Sequence, residues 1–274
     1  MAQPLPRLEP SEFTLRALSA AVIFPLAISA IWFGGWAFLL MILLISAAVA
    51  WELSRLCQAA PGLLVIAIIA LMLTTGLSMM GAFQEAIVCG VLGTLLIALL
   101  SRVSRSKAPV LLIIGFFYIM VALLSVVWLR LSTSGGLWLF LWMMAVVVST
   151  DIGAYLVGRA IGGPKLAAWI SPGKTWAGLL GGAFFAAVAG VLIVAMSGGD
   201  NYVRVVVIAG ILAVVAQIGD LIESAFKRHV GVKDASNLIP GHGGALDRLD
   251  GFLTVAPVMA VMSSFAGGSP LEWL

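Results

Sequence analysis

The densest group of chemically capable side chains runs from Ser224 to Asp250, SAFKRHVGVKDASNLIPGHGGALDRLD. Lys227, Arg228, Lys233 and Arg248 can neutralise several phosphate charges, arginine with a two-pronged hydrogen bond and lysine as a point charge. Gly241, His242, Gly243 and Gly244 make a flexible turn whose backbone N–H groups can approach phosphate oxygens. Asp247 and Asp250 project from one face of the helix that follows. Hard carboxylates beside phosphate-binding cations point to Mg2+, which takes one or two carboxylates and fills its shell with water and substrate phosphate. Upstream, Asp220, Glu223, Ser224 and Lys227 stand at i, i+3, i+4 and i+7, one stripe on an otherwise apolar helix. Such a stripe lines something other than lipid.

A second polar connection, 159–175, holds Arg159, Lys165, Lys174 and Thr175. Asp151 precedes Arg159 by eight residues, as Asp220 precedes Arg228. Both acids lie within apolar segments, where a carboxylate is a functional candidate by default. Gly173-Lys174-Thr175 has the ending of a Walker loop but lacks the earlier glycine and any parallel sheet. Two histidines and two distant cysteines do not make an ordinary tetrahedral zinc site. No G-x-S-x-G turn is present, and Ser224 has no triad partners at suitable spacing.

The elements that position these residues follow from composition. Of 274 residues, 62% are hydrophobic and 10% charged, with mean hydropathy +1.15. A soluble domain carries about 25% charged residues, so lipid must cover this surface. Apolar segments are expected at about 17–32, 36–52, 62–80, 84–100, 109–130, 136–158, 176–197, 203–226 and 251–268. The first two, joined by Gly34-Gly35, are short enough to tilt or to form a shallow hairpin. The fold class expected is all-α, a polytopic membrane protein of about nine helices with a cytoplasmic N-terminus. That orientation places 13 of the 15 Lys and Arg residues on one side, with Arg130 and Arg204 alone opposite. The positive-inside rule makes the basic side cytoplasmic.

Smaller features have structural readings. Gly178, Gly182, Ala186 and Gly190 repeat every four residues and let a neighbouring helix approach. Trp32, Trp36, Trp51, Trp128 and Trp273 fall near expected interfaces. Cys57 and Cys89, in no CxxC pattern, read as buried inert thiols. The start has signal-peptide features, but a second apolar segment follows at once, so an uncleaved first crossing is expected.

Ser224, Lys227-Arg228, Lys233-Asp234, Pro240, His242-Gly243-Gly244, Asp247-Arg248 and Asp250 together resemble the hallmark motif of the phosphatidate cytidylyltransferase (CDP-diacylglycerol synthase) family. The connection from Asp151 through Gly153, Tyr155, Gly158-Arg159, Lys165-Leu166, Ser171-Pro172 and Lys174-Thr175-Trp176 to Gly178 is similar to the same family. Two positions depart from it. Ala177 stands where the family often has Glu, and Ala245 where it often has a larger aliphatic residue.

The resemblance implies reaction of CTP with phosphatidate to give CDP-diacylglycerol and pyrophosphate, with Mg2+ as cofactor. On that reading Asp220, Asp247 and Asp250 hold metal, while Lys227, Arg228, Lys233 and Arg248 divide between the two substrates. His242 donates to a phosphate oxygen. Ser224, Asp234, Gly243, Gly244, Lys174, Thr175 and Asp151 are expected on the substrate-binding side. Residues 1–274 are expected to form one membrane domain: helices of 1–130 as lipid-facing scaffold, and 131–274 carrying the active site on loops 159–175 and 227–250. The expected location is the cell (inner or plasma) membrane, with the site on the cytoplasmic side. Partners are CTP, phosphatidate and membrane lipid, without nucleic acid, and a homodimer is kept open. Two alternatives stand beside this: a CTP-dependent enzyme acting on another lipid (an isoprenoid alcohol kinase or an ether-lipid cytidylyltransferase), and a cation- or proton-coupled transporter using Asp151 and Asp220.

Overall fold

The computed structural model describes residues 12–104, 106–131, 135–232, 234–239, 241 and 243–265, with only the backbone of 12–18 and 20. The helices are α1 (Glu12–Phe33), α2 (Gly35–Leu56), α3 (Pro61–Met79), α4 (Phe83–Ser101), α5 (Pro109–Leu131), α6 (Gly136–Ile161), α7 (Trp176–Ser197), α8 (Tyr202–His229) and α9 (Leu246–Phe265). Pro61 and Pro109 open α3 and α5, where a missing N–H costs nothing. Gly198, at φ +87°, ends α7 in the left-handed conformation that stops a helix.

Helices α2 to α8 are each long and apolar enough to cross a membrane, and α1 adds a shorter apolar stretch, Ala21–Phe33. The chain is a polytopic integral membrane protein. Leu92, Leu95, Leu99, Leu180, Phe184 and Val188 are among the exposed large hydrophobic side chains, as lipid-facing positions should be. The ninth helix starts at Leu246, ahead of the apolar stretch expected from 251, so its first turns carry Asp247 and Asp250, as the sequence places them on the entering helix.

One element adds to the all-α expectation. Within 159–175, β1 (Lys165–Ala167) and β2 (Ser171–Thr175) pair antiparallel, with Lys165 opposite Thr175 and Ala167 opposite Ser171. Gly162 and Gly163, at φ +67° and +92°, release the chain from α6 into this hairpin.

Small residues set the closest helix contact. A Cβ on Gly178 would stand 2.9 Å from the Ala154 carbonyl oxygen, and one on Gly182 2.8 Å from that of Thr150, so α7 lies backbone to backbone against α6. Two buried clusters fill the bundle. One joins Phe38, Ile42 and Val126 to Trp142, Met143, Leu212 and Met259. The other joins Leu53, Phe116, Ile119 and Leu123 to Ala245, Leu246 and Leu253. Both cross position 130, so the N-terminal helices form the seat on which α9 rests.

Candidate active site

The C-terminal ends of α6 and α8 meet the N-terminal ends of α7 and α9 at one end of the bundle. Between them is a cavity of about 700 Å³. Helix α6 contributes Asp151, Tyr155 and Arg159, and the hairpin Lys165 and Lys174. Helix α8 contributes Gln217, Asp220, Glu223 and Lys227; Asp234, Asp247, Arg248 and Asp250 complete the wall. Both polar connections therefore reach the same space.

Three acids converge there. Carboxylate oxygens of Asp220, Glu223 and Asp250 lie within 4.8 Å of one another. Lys174 Nζ is 2.6 Å from Asp220 Oδ2 and also donates to the Gln217 carbonyl at 3.3 Å. Lys227 Nζ is 2.8 Å from Glu223 Oε2, whereas Glu223 Oε1 is buried with no hydrogen-bond partner among the described residues. An unpartnered buried carboxylate oxygen is costly, and in a group of three acids it suits a hard cation with oxygen ligands. The donor set therefore fits Mg2+. A Cβ on Gly219 would stand 2.7 Å from the Asp250 carbonyl oxygen, so a glycine beside Asp220 is what lets α8 and α9 bring their acids together.

Asp247, expected with Asp220 and Asp250 at the metal, has a different place, and Glu223 takes its position in the group. Residues three apart on a helix point about 60° apart, and Asp247 turns toward the loop. Its Oδ1 accepts from Lys227 Nζ at 2.7 Å, and its Oδ2 from the backbone N–H of Ala235 at 3.0 Å and of Gly244 at 2.8 Å. It is a loop clamp.

Several other expected residues are likewise redirected. The N–H of Gly244 is used by Asp247, and that of Gly243 donates to the Ile239 carbonyl at 3.1 Å, so neither amide is aimed at a ligand. Thr175 does line the cavity, but it is buried and its hydroxyl caps α7, Oγ1 accepting from Gly178 N–H at 3.0 Å. Ser224 and the exposed Arg228 sit on α8 outside the cavity lining. Asp151, Lys174, Asp234, Lys227 and Arg248 line the cavity. Lys233 and His242 lie outside the described residues. Burial pushes the Cys57 thiol up to about 12, in keeping with an inert thiol.

Sequence reasoning passed over two residues that the structure brings to this end. Glu52, fully buried near the end of α2, accepts from the backbone N–H of Ala245 at 2.8 Å and of Leu246 at 2.7 Å, and from Ser236 Oγ. Tyr118 on α5 shares a 2.6 Å hydrogen bond with Thr254, whose hydroxyl donates to the Asp250 carbonyl at 3.0 Å. An acid in an apolar segment was the available signal for Glu52, the same one that singles out Asp151 and Asp220.

Beside the polar cavity is an apolar groove of about 360 Å³. Phe24, Ile31, Ile42, Phe140, Val147 and Phe252 are among its walls. Asp151 and Arg248 line both spaces and so mark where they join.

Residues 14–266 match the cytidylyltransferase family. The phosphatidate cytidylyltransferase of Brucella suis biovar 1 (strain 1330) is 46% identical over 145 residues, 53% of this chain and 54% of that protein. That of Haemophilus influenzae (strain ATCC 51907 / DSM 11121 / KW20 / Rd) is 42% identical over 135 residues, 47% of each chain. That of Staphylococcus aureus (strain COL) is 41% identical over 134 residues, 48% of this chain and 51% of that protein. The chain spans about half the length of the curated relatives it matches.

Proposed function

The chain belongs to the cytidylyltransferase family, and from that premise we propose that it transfers a cytidylyl group from CTP to phosphatidate, yielding CDP-diacylglycerol and pyrophosphate. The junction of the two cavities carries this reading. A site for a nucleoside triphosphate needs bases and acids in an aqueous space, and one for a membrane-held phosphate needs that space to open onto an apolar wall. Asp151 and Arg248 stand where the two meet.

Asp220, Glu223 and Asp250 would hold Mg2+. When bound, the ion offsets phosphate charge during transfer. Lys174 and Lys227 hold two of these acids in place and add positive charge to the cavity; Arg159, Lys165 and Arg248 add more. Arg248, which lines both spaces, would receive the lipid phosphate, with the acyl chains along the groove. An oxygen of the phosphatidate phosphate forms the new bond to the α-phosphorus of CTP. The bond from that phosphorus to the bridging oxygen breaks, and the electron pair leaves with pyrophosphate. A phosphate monoester with a second pKa near 6 is already ionised, so no side chain need take a proton. The residues position two anions and reduce their repulsion, the main task in transfers of this type.

Two measurements test the reading. Protein in detergent, given phosphatidate and CTP labelled at the α-phosphate, should move the label into the lipid phase and release pyrophosphate in equal amount, with dependence on Mg2+. Label that stays aqueous at every Mg2+ concentration sinks the assignment. The reading also places the protein in the cell's inner (plasma) membrane with the cavity at the cytoplasmic face, supported by the 13-to-2 charge split. With Cys57 and Cys89 replaced, Asn237→Cys and Ser171→Cys should label only from the cytoplasm and Asp200→Cys only from the opposite side. The reverse pattern removes the cytosolic substrate from reach.

A further inference from the structure

We propose that Glu52, on a helix remote in sequence from the acid cluster, is a positioning residue that sets the start of α9 and through it the cation site. Its carboxylate is fully buried, and its donors are the two backbone N–H groups at the head of α9, Ala245 and Leu246, with the Ser236 hydroxyl. Among the described residues it has no ion-pair partner; the positive end of α9 and these three donors hold its charge instead. A Cβ on Gly244 would stand 2.7 Å from Glu52 Oε1, so the chain passes directly over the carboxylate.

The consequence runs along α9. Leu246 is its first residue and Asp250 lies one turn on. Fixing the N–H groups of 245 and 246 fixes the helix's phase and depth, and hence where the Asp250 carboxylate meets those of Asp220 and Glu223. Asp247 fixes the neighbouring N–H groups of Ala235 and Gly244, but it belongs to α9 itself and can move with the helix. Glu52 anchors α9 to a separate body, the α2 end, packed through Leu53 against Gly115 of α5. Glutamine at position 52 would set an amide N–H2 against one of these backbone donors, so one N–H must lose its acceptor.

The inference rests on the cation reading above, and the test separates the two. Glu52→Gln is compared with the unaltered full chain in detergent by Mn2+ titration followed by electron paramagnetic resonance, by amide hydrogen exchange over 243–250, and by turnover of CTP with phosphatidate. We expect Mn2+ affinity and turnover each to fall by roughly 10- to 100-fold, the range for residues that orient ligands from outside the coordination shell. Exchange at Ala245 and Leu246 should accelerate while that of α3 and α4 is unchanged. A lower Tm with unchanged Mn2+ affinity and turnover would make Glu52 merely structural and overturn the proposal. Unchanged exchange at Ala245 and Leu246 would also overturn it. Should the unaltered protein bind no Mn2+, the cation reading fails and turnover with exchange still decides the role of Glu52. If Glu52→Gln does not yield folded protein, Ser236→Ala removes one of the three donors and is read in the same way. It must shift exchange and Mn2+ affinity in the same direction by a smaller factor, and no shift rejects the inference.

Discussion

The two connections that carry charge to the cavity are held by opposite devices. The hairpin of β1 and β2 is self-supporting: a short antiparallel ladder, a bond from Trp176 N–H to the Pro164 carbonyl at 3.1 Å, and one long-range ion pair, Lys174 to Asp220. Among the described residues, the 230–245 segment has one β-bridge, Ile239 with Gly243, and a bond from Leu238 N–H to Ser236 Oγ, while its side-chain ties to the helices run through Glu52 and Asp247. Damage should therefore stay local in the hairpin and spread in the second connection, whose supports also orient α9.

The largest test of this contrast is Asp247→Asn. Asp247 and Lys227 side chains are only 8% and 14% exposed, so the pair belongs to the buried regime. Lys227 keeps Glu223 as a partner, so the loss falls short of that for a buried charge left alone and should be about 1.5–3 kcal/mol, the range for hydrogen bonds to a charged group, here shared with two backbone N–H groups. Unfolding in detergent should show a loss of that order, with turnover falling at least roughly 100-fold as the loop and α9 shift. A stability change below about 1 kcal/mol would mean that the loop carries its own geometry, and the contrast with the hairpin would disappear.

A smaller effect is expected at Lys174, whose side chain ties the hairpin to α8 through Asp220 and the Gln217 carbonyl. Lys174 and Asp220 are 13% and 32% exposed. Lys174→Met keeps the aliphatic stem, so stability should change by only about 1 kcal/mol, with water screening much of the lost attraction. The Asp220 carboxylate nevertheless loses its cation beside two other acids. Turnover should fall by roughly tenfold, with a shifted Mg2+ dependence. If Lys174→Met destabilises the protein as much as Asp247→Asn, the hairpin is not self-supporting.

How much of this was legible in the sequence tracks the same contrast. Helix existence followed from apolar length: the expected 176–197 and 109–130 differ from α7 and α5 by at most one residue. The Asp220, Glu223 and Lys227 stripe follows from helical period, and all three line the cavity. The hairpin escaped notice because five residues rich in Gly, Ser and Pro carry no alternation of apolar and polar residues. Which acid joins Asp220 and Asp250 was not legible. Spacing put Asp247 near the face of Asp250, but its competing donors come from Lys227 and two loop amides whose positions only the fold supplies. The partnership of Glu52 with Ala245 and Leu246 spans more than 190 residues, and no local pattern encodes it.

The smallest predicted effect concerns Thr175, where the hairpin passes into α7. The family resemblance put Thr175 on the substrate-binding side; it does line the cavity, but its hydroxyl is buried and accepts from Gly178 N–H. Gly158 and Gly178 crowd it from both sides: a Cβ on either would stand 3.1 Å from Thr175 Oγ1. A residue so enclosed serves the helix rather than a ligand. Thr175→Val keeps the branched shape but removes the acceptor, so it should cost about 1 kcal/mol, the usual value of a lost N-cap. The KM for CTP should stay as it was, because the ladder at Lys165 still holds the strand. Thr175→Ser, which keeps the cap, should recover most of the stability. The opposite result, an unchanged Tm with a raised KM for CTP in Thr175→Val, would put the hydroxyl in contact with nucleotide. It would also show that the hairpin's geometry depends on a bound ligand, contrary to the self-supporting ladder.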